Sequence, residues 1–131
     1  MSNKPRLTWQ AISLKLHNPF RLSTGVSTTR TAHWIRLEDD QGWGEGTIPP
    51  YYNITDEEMI SYWDKASLID RPFPDDPAEI PQWAGEHGPA PARAAVDLAL
   101  HDRIGKNRDI PLNKLLGLPC QPKFLYHLWL F

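Results

Sequence analysis

The side chains able to do chemistry are few, and their spacing argues against most of it. The five histidines His17, His33, His87, His101 and His127 include no pair a few residues apart, which a zinc centre requires. Only one cysteine, Cys120, is available. No metal site is expected within the chain, and the histidines read as surface or packing residues. Gly42-Trp43-Gly44-Glu45-Gly46 lacks the G-x-G-x-x-G spacing of a phosphate loop. Pro49-Pro50 also stand where a helix N-terminus would have to offer its N–H groups. These glycines read as points of close backbone approach or a bulge. Asp97 and Asp102 lie in one strongly apolar helical stretch, but five residues place them about 140° apart around a helix. That separation does not suit paired acid/base work. His101 follows Asp97 by four, Lys106 follows Asp102 by four, and Arg93 precedes Asp97 by four, so structural ion pairs are expected. There is no G-x-S-x-G motif and no Cys/His arrangement to supply a nucleophile.

The chain has 131 residues, 40% apolar and 23% charged, enough for one domain with one modest core. It is too short for a (β/α)₈ barrel, which needs about 250 residues. Fourteen Lys and Arg against sixteen Asp and Glu give a net charge of −2, so nucleic acid is not an expected partner. No apolar run approaches the ~20 residues of a membrane span. Met1-Ser2-Asn3-Lys4-Pro5-Arg6 does not resemble a signal peptide, and a soluble, cytoplasmic protein is expected. Thirteen prolines disfavour a bundle of long helices.

The elements follow from periodicity. Leu7 to Leu16 alternates with Ile12, Leu14 and Leu16 on one face, a strand pattern that His17-Asn18-Pro19 breaks. Pro19 to Arg30, rich in Ser and Thr, reads as a long loop. Thr31 to Leu37 is a second strand, with His33, Ile35 and Leu37 on one face and Ala32, Trp34 and Arg36 on the other. The turn residues Asp39-Asp40-Gln41-Gly42 lead into a third strand, Trp43 to Ile48. Thr55 and Glu58 form a capping box, with Ile54 and Met59 as the hydrophobic staple. Met59, Ile60, Tyr62, Trp63 and Ala66 form the apolar stripe of that helix. Six prolines between 72 and 91 make an irregular connection with one short helical turn near Pro81 to Ala84. A second helix runs from Pro91 to about Lys106, with small residues on several faces. Pro111 opens a short third helix with Leu112, Leu115 and Leu116, closed by Gly117 and Pro119. Strands followed by helices make the class α+β.

Ala92 to Gly117 reads ARAAVDLALHDRIGKNRDIPLNKLLG. This stretch resembles the N-terminal signature of the mandelate racemase/muconate lactonizing enzyme branch of the enolase superfamily. Ala92, Ala94, Ala95 and Ala99 fall at its small positions. Asp97, Asp102, Gly105-Lys106, Pro111-Leu112 and Leu115-Leu116-Gly117 fall in register, while Arg103 stands where an aliphatic residue is usual. Asn18-Pro19-Phe20-Arg21 and Gly42-Trp43-Gly44-Glu45 are most similar to the dipeptide epimerases.

The resemblance covers about residues 7 to 119. It implies that residues 1–119 form an enolase-like N-terminal capping domain, a three-stranded antiparallel β-meander followed by a small helical bundle. The catalytic (β/α)₈ barrel would then be absent. In that family the barrel holds the lysine bases and the Mg²⁺ ligands, which remove a proton α to a carboxylate. The resemblance therefore implies Mg²⁺ as cofactor and a small carboxylate or dipeptide as substrate, with no catalytic residue and no metal ligand in this chain. It also implies that two cap segments, Pro19–Thr29 and Pro49–Ile54, exclude water and select the substrate side chain. Their candidate substrate-binding residues are Phe20, Arg21, Ser23, Thr24, Tyr51, Tyr52 and Ile54, and Arg21 is the one able to hold a carboxylate bidentately. Ala95, Leu98 and Ala99 are expected to dock on the missing barrel. Residues 120–131 read as an apolar tail, either a truncated first barrel strand or a frameshifted end. Two alternatives stand beside this reading: a stand-alone binding module of the same fold, and one half of a split enzyme. A homo-oligomer is also left open.

Overall fold

The computed structural model describes residues 6–119. The tail at 120–131 lies outside the described residues. Three strands, β1 (Leu7–Leu22), β2 (Gly25–Leu37) and β3 (Trp43–Thr47), form an antiparallel sheet in the order β1-β2-β3. Four helices follow: α1 (Asp56–Ser67), α2 (Ile80–Ala84), α3 (Ala90–Arg108) and α4 (Leu112–Leu115). This is the expected α+β meander with a small helical bundle, and its strands are not those of a barrel.

One expectation is corrected. Pro19 to Arg30 is not a long loop; β1 and β2 run on through it and close at Ser23-Thr24. Thr28, Thr29 and Val26 suit extended backbone, and Gly25 takes the positive φ of 145° needed beside the turn. The break at His17-Asn18-Pro19 is real but local. Pairing stops at Lys15↔Thr29 and resumes at Phe20↔Ser27, so residues 16–19 stand opposite Thr28 alone. A proline is tolerated there because β1 is an edge strand.

Leu7, Ile35 and Leu37 bury the inner face of the sheet. Ala32, expected on the outer face with Trp34, is also fully buried. Its methyl sits on the central strand between Ile12 and Thr47, short enough for its neighbours to cover. In α1 the capping box is present: Glu58 N–H donates to Thr55 Oγ1 at 3.2 Å, and Thr55 N–H to Glu58 Oε2 at 2.8 Å. Met59, Trp63 and Ala66 turn inward, and Trp63 Nε1–H donates to the Ala92 carbonyl at 3.1 Å, tying α1 to the start of α3.

The glycines in and just before β3 set the position of α3. A Cβ on Gly44 would fall on the Ala95 carbonyl, and one on Gly42 on the Ala99 carbonyl. A Cβ on Gly46 would lie 3.0 Å from the Pro91 carbonyl and 3.2 Å from the Ala95 methyl. Ala92, Ala95, Val96 and Ala99 form the facing stripe and are fully buried. Ala95 and Ala99 therefore pack on the protein's own sheet, not on a missing domain. Leu98 alone of that expected trio is exposed, at 48%. The reason is steric: once β3 offers bare backbone, the small side of α3 is the side that fits.

Arg103 also finds its explanation. Its guanidinium donates to the Pro74 carbonyl at 3.1 Å and to Asp75 Oδ1 at 3.0 Å, and lies 5.5 Å from the centre of the Phe73 ring, with Arg6 at 4.5 Å. It pins the proline-rich connection to α3, which an aliphatic side chain could not do.

Gly44→Ala is expected to cost about 1–3 kcal/mol in urea denaturation, because the added methyl must displace helix backbone. Leu98→Ala, on the exposed side of the same helix, should stay within about 0.5 kcal/mol.

Candidate functional site

The last rung of the β2–β3 ladder is Ala32↔Thr47. Beyond it, residues 25–31 of β2 pair with β1 alone, and this two-stranded arm runs on for about 20 Å at the rise of a strand. From Leu14 to Arg30 the arm carries Lys15, Arg21 and Arg30 and no carboxylate. It also exposes Leu14, Phe20, Leu22 and Val26.

The seven candidate residues sit at or near this end of the sheet. Phe20 is half exposed and lies 5.8 Å from the Arg30 guanidinium. Arg21 is exposed and makes no salt bridge among the described residues. Ser23 and Thr24 form the exposed turn. The register separates Phe20 from Arg21. Phe20 opposes Ser27 and shares the face of Lys15 and Leu7, whereas Arg21 opposes Val26 on the other face. Lys15 is thus a cation on Phe20's face, and nothing in the residue pattern had singled it out.

The second segment leaves β3 at the base of the arm. Tyr52 N–H donates to the Pro49 carbonyl at 3.1 Å, and the Tyr51 and Tyr52 rings pack 5.0 Å apart at 47°. Both rings are exposed, at 66% and 57%. Ile48 and Ile54 pack against the core, which carries the segment over the inner face of the sheet, the face of Phe20. Ile54 therefore serves more as an anchor than as open surface.

His33 is a residue that sequence reasoning undervalued. It is buried at the root of the arm, with Nε2 3.4 Å from Asp56 Oδ1 in the first turn of α1. Its ring lies 5.2 Å from that of Trp63, and Nδ1 has no hydrogen-bond partner. The contact links the strand bearing the arm to the helix that ends the second segment.

The two aspartates of α3 are structural. Asp97 Oδ1 lies 3.1 Å from His101 Nδ1, and Asp102 Oδ2 lies 2.6 Å from Lys106 Nζ. The latter oxygen also accepts from the Trp43 amide at 2.9 Å, fastening helix to strand. The expected partnership of Arg93 with Asp97 is not among the ion pairs. No group of three metal-capable side chains converges among the described residues. No helix among them is long and apolar enough to cross a membrane.

A large groove of about 980 Å³ lies elsewhere, between β3 and the second half of α3, and none of the seven candidates lines it. Ile54 borders a smaller one of about 540 Å³ with Tyr62, His87 and Pro89.

The molecule is thus a sheet-and-helix body with two exposed segments leaving one end of its sheet. Residues 7–117 match the mandelate racemase / muconate lactonizing enzyme N-terminal domain, and the chain belongs to that family. It is 31% identical over 122 residues to the L-Ala-D/L-Glu epimerase of Bacteroides thetaiotaomicron, covering 90% of this chain and 32% of that one. An enolase-superfamily member from Listeria innocua superposes with TM-score 0.73 at 26% identity, covering 89% of this chain and 34% of the other. A dipeptide epimerase from Enterococcus faecalis, complexed with Mg and the dipeptide L-Leu-L-Tyr, superposes with TM-score 0.71. At 20% identity, over 86% of this chain and 34% of that one, that likeness is one of fold. The chain spans about a third of the length of these relatives.

Tyr62 gives a pH test of the body behind the segments. Burial pushes its hydroxyl above the ordinary tyrosine range, with Arg93 opposing and Asp97 adding to the shift. The hydroxyl donates to the Ala84 carbonyl at 2.8 Å. The folded state therefore holds this proton to higher pH than the unfolded state does. Its contribution to stability is intact below about pH 10, the unfolded value, and is lost as pH rises through the folded value. Tyr62→Phe should cost about 1 kcal/mol at pH 7 and flatten the alkaline fall in urea midpoint.

Proposed function

We propose that this chain is the substrate-selecting cap of a racemase or epimerase that acts at the carbon α to a carboxylate, with dipeptides as the favoured substrate class. The observation that carries the reading is the arm: cationic, free of carboxylates, and rooted where the Tyr51–Tyr52 segment leaves the sheet. Support comes from the relatives, an L-Ala-D/L-Glu epimerase and a dipeptide epimerase holding L-Leu-L-Tyr.

In this reading Phe20, Tyr51 and Tyr52 enclose the substrate side chain from one side and keep water from the reacting carbon. Ser23 and Thr24 offer hydroxyls to the peptide group. Lys15 and Arg30 make the approach attractive to an anion, and Arg21 engages a carboxylate from the outer face of the arm. Ile54 fixes the second segment on the core. The bases that move the proton, and the Mg²⁺ seen with a relative, belong outside residues 6–119. The expected compartment is the cytoplasm.

Two outcomes test this. Incubated with L-Ala-L-Glu and Mg²⁺ in D₂O, the 131-residue chain should incorporate no deuterium at either Cα, whereas incorporation at enzymatic rates would overturn the division of labour. In NMR titrations with the same dipeptide, shifts should concentrate at 19–29 and 49–54. Arg21→Ala should weaken that binding about tenfold, the worth of one charged hydrogen bond. Shifts confined to other surfaces would refute the assignment.

A further inference from the structure

An antiparallel sheet packed on one side only turns polar side chains to water on the other. The outer face of this sheet departs from that rule. Alternation places Trp34 and Arg36 of β2 and Trp43 and Glu45 of β3 opposite in direction to the buried Ile35 and Leu37, with Ile12 and Leu14 of β1 alongside. Trp34, Trp43 and Leu14 are each more than 40% exposed. The two indole rings meet edge to face at 6.3 Å and 82°. The same patch turns over the edge of β3 into the groove of about 980 Å³, where Leu98 continues it. A continuous apolar surface of this kind marks a place of contact with another molecule.

The charges on this face are arranged as well as the rings. The register pairs Trp34 with Glu45 and Arg36 with Trp43, so the four side chains make a checkerboard. The tryptophans occupy one diagonal, and Arg36 and Glu45 the other. Arg36 is exposed, its guanidinium 5.8 Å from the centre of the Trp43 ring. Glu45 is also exposed, and its Oε1 accepts from Thr47 Oγ1 at 3.5 Å. Among the described residues neither one makes an ion pair.

We propose that this face pairs with the same face of a second copy, about a two-fold axis lying along the Trp34–Trp43 diagonal. A two-fold axis in the plane between two facing sheets reflects the pattern of each across that axis. Each tryptophan then lies over its own counterpart, and Arg36 of either copy stands over Glu45 of the other. A strand spacing of about 4.8 Å and a rise of about 3.4 Å per residue put the diagonal about 35° from the strands. The strands of the two copies therefore cross at about 70°, toward the orthogonal class of sheet packing. The charge pattern is what selects a second copy as the occupant. One base and one acid, set symmetrically about a line of tryptophans, are complementary to themselves, as an isologous contact requires. The apolar centre excludes water while the two ion pairs flank it. Phe20, Tyr51 and Tyr52 belong to the inner face, so the inference stands independently of the substrate reading.

Charge reversal read by sedimentation tests it on the 131-residue chain. The unaltered chain should sediment as a dimer at the concentrations of an NMR sample. Arg36→Glu and Glu45→Arg should each raise the dimer dissociation constant at least about tenfold, because like charges then meet at both contacts. The chain carrying both reversals should associate as the unaltered chain does, since each pair is restored with its signs exchanged. The two single variants, mixed, should pair with each other in preference to themselves. Either recovery also shows that the single variants are folded. A chain that stays monomeric overturns the proposal. So does a dimer indifferent to the single reversals, or one that neither the double reversal nor the mixture restores.

Discussion

A helix can lie directly on the backbone of a strand only where neither surface carries bulk. Among the described residues that condition is met where Gly42, just before β3, and Gly44 and Gly46 within it meet Ala92, Ala95 and Ala99 of α3. The contact leaves so little room that a single methyl would collide with helix carbonyls. It fixes the height and axial position of α3 on the sheet. From there the rest is determined in turn: Trp63 reaches the Ala92 carbonyl and places α1, Arg103 holds the Pro74–Asp75 bend, and Asp102 caps the Trp43 amide.

The arm answers to a different physics. Outside the body it has, among the described residues, no third strand and no helix behind it, and an isolated two-stranded ribbon is marginally stable in water. It nonetheless exposes Leu14, Phe20, Leu22 and Val26. The molecule thus joins a tightly packed core to two segments that expose their apolar side chains. His33, wedged against Trp63 and Asp56, stands at the joint between the two.

Much of the body was legible in the residues. The capping box at Thr55 and Glu58, the close approach at the glycines and the helical stretch from Ala92 all follow from local rules, and local structure obeys them. The arm was not legible, because its Ser/Thr-rich sequence lacks the apolar alternation that marks a half-buried strand. It lacks it because neither face is buried. The docking role read into Ala95 and Ala99 failed for a related reason. Small residues show that something comes close, but not what. The arm's charge was present in the sequence yet cancelled in the whole-chain total of −2. The candidates in the two segments came from family likeness. The structure adds what the likeness lacked, which is that Phe20 and Arg21 face opposite ways.

That opposition arises at residues 16–19, where β1 carries three residues more than β2 can match. An odd insertion inverts the alternation of everything beyond it. Lys15 and Phe20, five apart, share a face that a regular strand would have denied them. The bulge thereby acts as a parity switch in the chain. Gaining or losing one residue there would turn the β1 side chains from Phe20 to Leu22 over to the other face, while the rungs from Leu7 to Lys15 and the core beneath them stayed as they are. A lineage could exchange Phe20 for Arg21 at the same location in space without substituting either one.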